Sequence, residues 1–389
     1  MHMRKQFDDY RLQNLQRRLL SEARLESAET QDHVSGCLRG RTAAHVLSDI
    51  VDQYFDGDAE LKRVACELAA AGEEGLQLLQ AGDKRTLAHR PDLVSGLEAI
   101  VMADGSRPSF LVRNGAVDLQ SCPADSWAET IALSGDLLAE ALPAAGRINC
   151  PDAPQGFAGS GFLVAPGVVM TNRHVLQMIA DPTGDGSWQF REGVQIDFGH
   201  EYQGIDSHLP RELRTVLYAA DGYIDPYRPL DHALLDLVLI ELNAATCREQ
   251  TPLQIDVSVD WPAPELAVYI VGYPAHPLSG YSLTLLEKLF QLTFGRKRLA
   301  PGRVLKPAGQ GGAWTMSHDA TTLGGNSGSV VLVAGRETLA AALHYGGKKD
   351  VANYGHVIGA TLSHKGTQGK TLEQVLRERG ARLVKRNVS

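Results

Sequence analysis

The 389-residue sequence is poor in cysteine, in long apolar runs and in clustered basic charge, and each shortage removes a class of protein. Its five cysteines, Cys37, Cys66, Cys122, Cys150 and Cys247, are odd in number and widely spaced. No two have the separation of a zinc knuckle or a dithiol redox motif, and small secreted domains stapled by disulfides are far denser in cysteine. They read as free thiols in a reducing compartment. No apolar run nears the roughly 18 residues that a membrane span needs. The polar opening, Met1-His-Met-Arg-Lys-Gln-Phe, is not followed by the apolar stretch of a secretory leader. The formal charge is −8 and the basic residues are scattered, which argues against a nucleic-acid partner. No repeat of solenoid period is present. The expectation is a cytoplasmic protein with no membrane span, no metal and no cofactor.

What is present is an ordinary globular composition, 43% apolar and 22% charged, on a chain long enough for two domains or more. Residues 1–82 read as a helical domain. Leu12, Leu15 and Leu19 recur at helical spacing, as do Val46, Ile50 and Tyr54, with Thr42 as an N-cap. A third helix is expected after Asp58, with Leu61, Val64 and Leu68 on its apolar face and an interruption at Gly72 and Gly75. Residues 83–145 read as a connector of mixed structure, with strand character at Ser109-Phe-Leu-Val-Arg and a helix over Ala128 to Leu142. From residue 146 to the end, short apolar runs alternate with Gly, Pro and Asn, the texture of an antiparallel all-β sandwich or barrel. A last helix is expected over Thr371 to Val384.

Three places in this β region carry chemistry. Met170-Thr-Asn-Arg-His174 follows a hairpin that turns at Pro166-Gly167, and a histidine at such a strand end can face a cleft. Asp231-His-Ala-Leu-Leu-Asp236 precedes the apolar run Leu237-Val-Leu-Ile. An aspartate entering an apolar strand is costly unless something pairs with it. Both Asp236 and Asp231 fit; Asp236 is favoured and Asp231 stays open. Thr321-Thr-Leu-Gly-Gly-Asn-Ser327-Gly-Ser puts a serine in a glycine loop that runs into a strand. There the amides of Gly325 and Ser327 can converge as an oxyanion hole. A base, an orienter and a hydroxyl in the order His, Asp, Ser are what acyl transfer by serine requires.

Together Gly159-Ser-Gly-Phe-Leu-Val, Thr171-Asn-Arg-His, Asp236-Leu-Val-Leu-Ile and Gly324-Gly-Asn-Ser-Gly-Ser resemble the chymotrypsin-like serine peptidases, most closely the bacterial glutamyl endopeptidases. The resemblance covers about residues 146–365. It implies two six-stranded β-barrels with the active site in the cleft between them, with His174 as general base, Asp236 as its orienter and Ser327 as nucleophile; with the helical domain read from residues 1–82, the expected chain is α+β, a helical domain before a double β-barrel. One departure from the animal trypsins is Asn326, where they carry the aspartate that a freed N-terminus satisfies. Activation of that type is therefore not expected.

Thr322 and His344 stand where the glutamyl endopeptidases line their specificity pocket. The resemblance implies a preference for Glu, with Asp or Gln as alternatives, before the scissile bond. Tyr345, Gly346 and Gly347 would form the edge on which substrate backbone pairs. The basic segment His276 to Thr315, with Lys288, Arg296, Lys297, Arg298 and Arg303, reads either as a cap over the cleft or as a solvated surface loop. The implied partners are a protein substrate and a regulatory protein recruited by the helical domain, as in an effector protease of a bacterial defence system. The competing readings are a catalytically silent binding module on the same fold and an intracellular quality-control protease.

Overall fold

The computed structural model describes residues 59–81, 107–121 and 127–385, with single residues before 107 and without 184–186, 204–209, 226–229, 245–249, 277–289, 291–292, 310–313 and 349–351. The helices expected around Leu12 and Val46, and their cap Thr42, lie outside the described residues. Helix α1 spans Ala59–Gln80 and buries Ala65 and Ala69. It runs unbroken through Gly72 and Gly75, both of which are buried.

Strands β1 (Phe110–Arg113) and β2 (Ala116–Asp118) form a hairpin through Asn114-Gly115. Both turn residues have positive φ, 52° and 74°. Asn-Gly supplies that conformation at least cost, and it matches the twist of the flanking strands. The expected single helix over Ala128 to Leu142 is instead α2 (Ala128–Leu133), α3 (Gly135–Ala141) and a 3-10 turn at Leu142–Ala144. The break falls at Ser134, whose hydroxyl is engaged by buried Glu337 at 2.5 Å.

The first barrel is built from β3 (Ala145–Asn149), β4 (Phe157–Ala165), β5 (Val168–Thr171), β8 (Gln195–Asp197), β9 (Pro210–Ala219) and β10 (Val238–Leu242). It closes in the order β10-β5-β4-β3-β8-β9. Helix α4 (Arg173–Ile179) and the small pair β6 (Ala180–Pro182) and β7 (Trp188–Phe190) intervene between β5 and β8.

Strand β11 (Gln254–Asp256) leads into the second barrel. Its six strands are β12 (Ala267–Gly272), β13 (Arg298–Lys306), β14 (Thr315–His318), β15 (Val330–Val333), β17 (Ala342–Lys348) and β18 (Ala352–Val357). Pairing of β12 with both β13 and β15 closes the ring, and the β1–β2 hairpin adds to the same sheet through β13. One apolar cluster runs from Phe110 and Val112 through Leu138 and Leu142 into Phe162, Ile196 and Leu239. A second, with Val268, Val304, Met316 and Val331, fills the other barrel.

Two expectations change here. The last helix ends early. α5 is Ile358–Thr361, and α6 is Leu372–Glu378, opened by a capping box between Thr371 and Gln374. Gly380 then adopts φ 79° and the chain leaves as β19 (Leu383–Val384), parallel to β11, which also pairs with β16 (Leu339–Ala340). The basic segment before the serine is in part interior. Lys297 is fully buried and its ammonium donates to the carbonyls of Leu142 and Phe198, at 3.1 and 2.8 Å. Arg298 likewise donates to the carbonyls of Ser109, Phe290 and Thr293. Long cationic side chains reach backbone acceptors from inside a sheet, so neither a cap nor a solvated face describes these two residues. Lys288 lies outside the described residues.

Candidate active site

His174 is the second residue of α4, just past the end of β5. Asp236 stands two residues before β10. The strands are antiparallel with Val238 opposite Thr171, so the register continued outward brings Asp236 alongside the Arg173-His174 step. The carboxylate then binds His174 twice: Oδ2 lies 2.5 Å from Nδ1, and Oδ1 accepts the His174 amide at 2.8 Å. Asn172, at the N-cap of α4, makes no capping bond. Its side-chain amide instead donates to the Asp236 carbonyl at 2.9 Å. Asp231 is exposed and its carboxylate accepts the Ala233 amide of its own turn.

Burial alone would disfavour both charges. For His174, burial pushes the imidazolium down, but the Asp236 charge and hydrogen bond outweigh it and the pKa is raised. For Asp236, burial pushes up, and the His174 charge and bonds pull the carboxyl below its ordinary value. Each partner holds the other in its charged form, the electrostatic condition for a base whose protonated state must be stabilised in mid-reaction.

Ser327 comes from the second barrel, in the turn before β15. The Ser327 carbonyl accepts the Ser160 amide of β4 at 2.7 Å, which pins the serine turn against the first barrel. Gly328 has φ 88°, and a Cβ there would come within 1.9 Å of the Ser160 carbonyl oxygen, so only glycine fits. Ser160 braces the turn a second time: its hydroxyl donates to the Gly325 carbonyl at 2.8 Å and accepts the Tyr273 amide at 3.0 Å. The amides of Asn326, Gly328 and Ser329 are all bonded within the turn or to His344. Those of Gly325 and Ser327 donate to no protein acceptor among the described residues.

The trypsin-like peptidase domain family matches residues 159–340. A Lysobacter enzymogenes protein described as a probable serine protease is 30% identical over 371 residues, covering 88% of this chain and 94% of that one. The chain belongs to the trypsin-like serine peptidases. The match to the Lysobacter protein is longer than residues 145–389 alone can supply, so it takes in part of the segment before the barrels. Among solved structures, mouse neuropsin is 13% identical, with 57% of this chain and 91% of that chain covered at a TM-score of 0.40. A Glu endopeptidase is 16% identical, with 56% and 85% covered at 0.39. As a trypsin-like peptidase the chain is a serine endopeptidase, and its substrates are proteins. No helix among the described residues is long and apolar enough to cross a membrane.

The residues read as a substrate wall belong to the second barrel as well. Gly346 and Gly347 are on β17 and pair with Tyr354 and Asn353 of β18. Tyr345 occupies the bulge between His344 and Gly346, and is buried with its hydroxyl 2.6 Å from His232 Nδ1. Thr322 is half-buried and donates to the Asn353 carboxamide oxygen at 2.7 Å, while the Asn353 amide donates to the Ala320 carbonyl. His344 is 2% exposed and meets His318 at 3.3 Å. Burial, and then the neighbouring His318, hold its pKa well below the usual range, so it is neutral. Thr322 is thus held by Asn353 and His344 by His318.

Asn353 carries no signal that a sequence reading would weigh, and Ser160 and Asn172 appear in the motifs without a role of their own. Ser160 alone had a cue, since a serine flanked by Gly159 and Gly161 lets another backbone approach closely.

Proposed function

We propose that His174, Asp236 and Ser327 form the catalytic triad of this endopeptidase. Asp236 fixes the His174 ring with its Nδ1 proton inward. That leaves Nε2 to take the Ser327 hydroxyl proton as Oγ attacks the scissile carbonyl. The Gly325 and Ser327 amides receive the oxyanion, and His174 then protonates the leaving amine. Water repeats the sequence on the acyl-enzyme. The observation that carries this reading is the double bond of one carboxylate to His174, ring and backbone, beside a serine turn locked to the same barrel by Ser160.

We place Glu, with Asp or Gln as alternatives, before the scissile bond. Thr322 and Asn353 are neutral hydrogen-bonding groups, and the one carboxylate of that stretch, Asp319, is buried and paired with Arg107 at 2.8 Å. A cationic side chain would find no free counter-charge there. Segment 1–82, expected from its sequence to be helical, is taken as the regulatory, partner-recruiting part of an effector protease. The match to the Lysobacter protein beyond the barrels supports its belonging to the same molecule.

The test is a fluorophosphonate probe on the intact chain. Labelling is expected at Ser327 and is lost in Ser327→Ala; labelling that persists in this variant overturns the triad. On a peptide panel, Glu before the cut should exceed Arg or Lys, and an Arg preference would overturn the pocket.

A further inference from the structure

Asp236 is held through its backbone as well as its side chain, and one of the two holders comes from the far barrel. Its carbonyl accepts from Asn172 of the first barrel. Its amide donates to Nε2 of His356, on β18 of the second, at 3.1 Å across 120 residues of sequence. His356 is fully buried. Its ring lies flat on Tyr345, centroids 4.0 Å apart and 6° from parallel. Tyr345 is in turn held by His232, and its hydroxyl lies 3.3 Å from that of Thr315. Stacking fixes the plane of the imidazole, and in that plane Nε2 lies within reach of the Asp236 amide.

Nucleophile and orienter sit on different barrels, yet their alignment must hold to a fraction of an ångström. Ser160 ties the serine turn to the first barrel. A second tie running from the barrel of the serine back to the aspartate would complete the brace. We infer that His356 is a positioning residue for catalysis, the acceptor that fixes the Asp236 peptide, and so the Asp236–His174 pair, relative to the barrel bearing Ser327. This rests on the triad reading above. The groups that face His356 are Asp236, His232 and Tyr345. Only a neutral ring can accept the amide, and burial, which pushes the His356 pKa down to about 3, keeps it neutral.

The experiment uses the full chain with His356→Leu, His356→Gln, His356→Asn and Asp236→Asn. Reaction of Ser327 with a fluorophosphonate is followed against concentration and pH, and the His174 Nδ1 proton by NMR. Leu lacks the acceptor, Gln carries an oxygen at the reach of Nε2, and Asn is one bond too short. The maximal labelling rate is expected to fall roughly tenfold to a hundredfold in His356→Leu, the scale for partners one step removed from the reacting groups. Half-saturating probe should be unchanged, the acid limb should move to lower pH, and the Nδ1 proton signal should shift. His356→Gln should recover most of the rate and His356→Asn should not. If His356→Leu does not fold, the Gln–Asn contrast decides. Equal rates and an unmoved proton signal in Gln and Asn, or in Leu and the parent, overturn the inference. An active Asp236→Asn overturns the triad reading itself, which separates the two failures.

Discussion

The two barrels solve the same closure problem with different interiors. In the first, β5 and β10 read Val-Val-Met-Thr and Val-Leu-Ile-Glu-Leu, and the polar residues that matter, His174 and Asp236, stand just past the strand ends. In the second, β14 reads Thr-Met-Ser-His with all four residues buried, and His318, His344 and His356 lie inside the sheet. The first barrel is an apolar frame with chemistry on its rim. The second also has an apolar filling, but its sheet is a partly polar frame in which buried histidines and their hydrogen bonds are set among the strands, where every unpaired atom carries a cost.

Mutations test that contrast. At the rim, Asp236→Asn should lower turnover by roughly 10⁴, because the amide favours the wrong tautomer of His174, and it should also lower the melting temperature, because the buried pair with His174 is lost. A small effect would make the first barrel only a scaffold. Inside the polar frame, Asp319 binds Arg107 and accepts the Arg303 amide at 2.7 Å. Asp319→Asn should cost about 3–5 kcal/mol in urea unfolding, the scale for a buried charge that has lost its partner. Ile196→Val, an apolar trim in the first barrel, should cost about 0.5–1.5 kcal/mol. A reversed order would mean that packing, not pairing, limits both barrels.

Acid separates the barrels more gently. Burial pushes His318 down to about 4 and His356 to about 3. The unfolded chain binds protons at these sites from about pH 6.5 downward, whereas the folded chain does not. Stability is therefore present above that pH and is lost as pH falls towards 4, by up to about 1.4 kcal/mol per pH unit for each ring. His174 has the opposite sign: its raised pKa stabilises the fold below the unfolded value and fades as pH rises through the folded one. Melting temperatures between pH 4 and 8 should fall on the acid side, less steeply in His318→Gln. Probe labelling should instead lose its rate below a pH set by His174, above the ordinary imidazole value.

How much of this was legible in the sequence follows the same division. Strand texture, the hairpin at Pro166-Gly167 and the three motifs are local patterns, and the strands appear where apolar runs stand between turn residues. The last helix ends at Glu378, short of the apolar spacing that suggests it, because Gly380 takes a positive φ and stops it. Lys297 and Arg298 read as part of a cap or a solvated loop, because a sequence does not tell such cations from ones bonded to distant carbonyls. His356 sits in Gly355-His-Val with no motif around it, and its partner is 120 residues away. The resemblance puts Thr322 and His344 on one pocket wall, and the Thr322 hydroxyl bonds Asn353, a residue with no signal of its own.

The β1–β2 hairpin sets a timetable. Phe110 pairs with Leu299, 189 residues later in the chain. At the usual pace of synthesis, about 5–20 residues per second, the hairpin waits roughly 10–40 s for the strand it must join. By then every strand of the first barrel has been made. The apolar side chains of Phe110, Leu111 and Val112 thus pass through a window in which the β13 strand they pair with does not yet exist, and the sheet of the second barrel is extended by a piece of chain older than the first barrel.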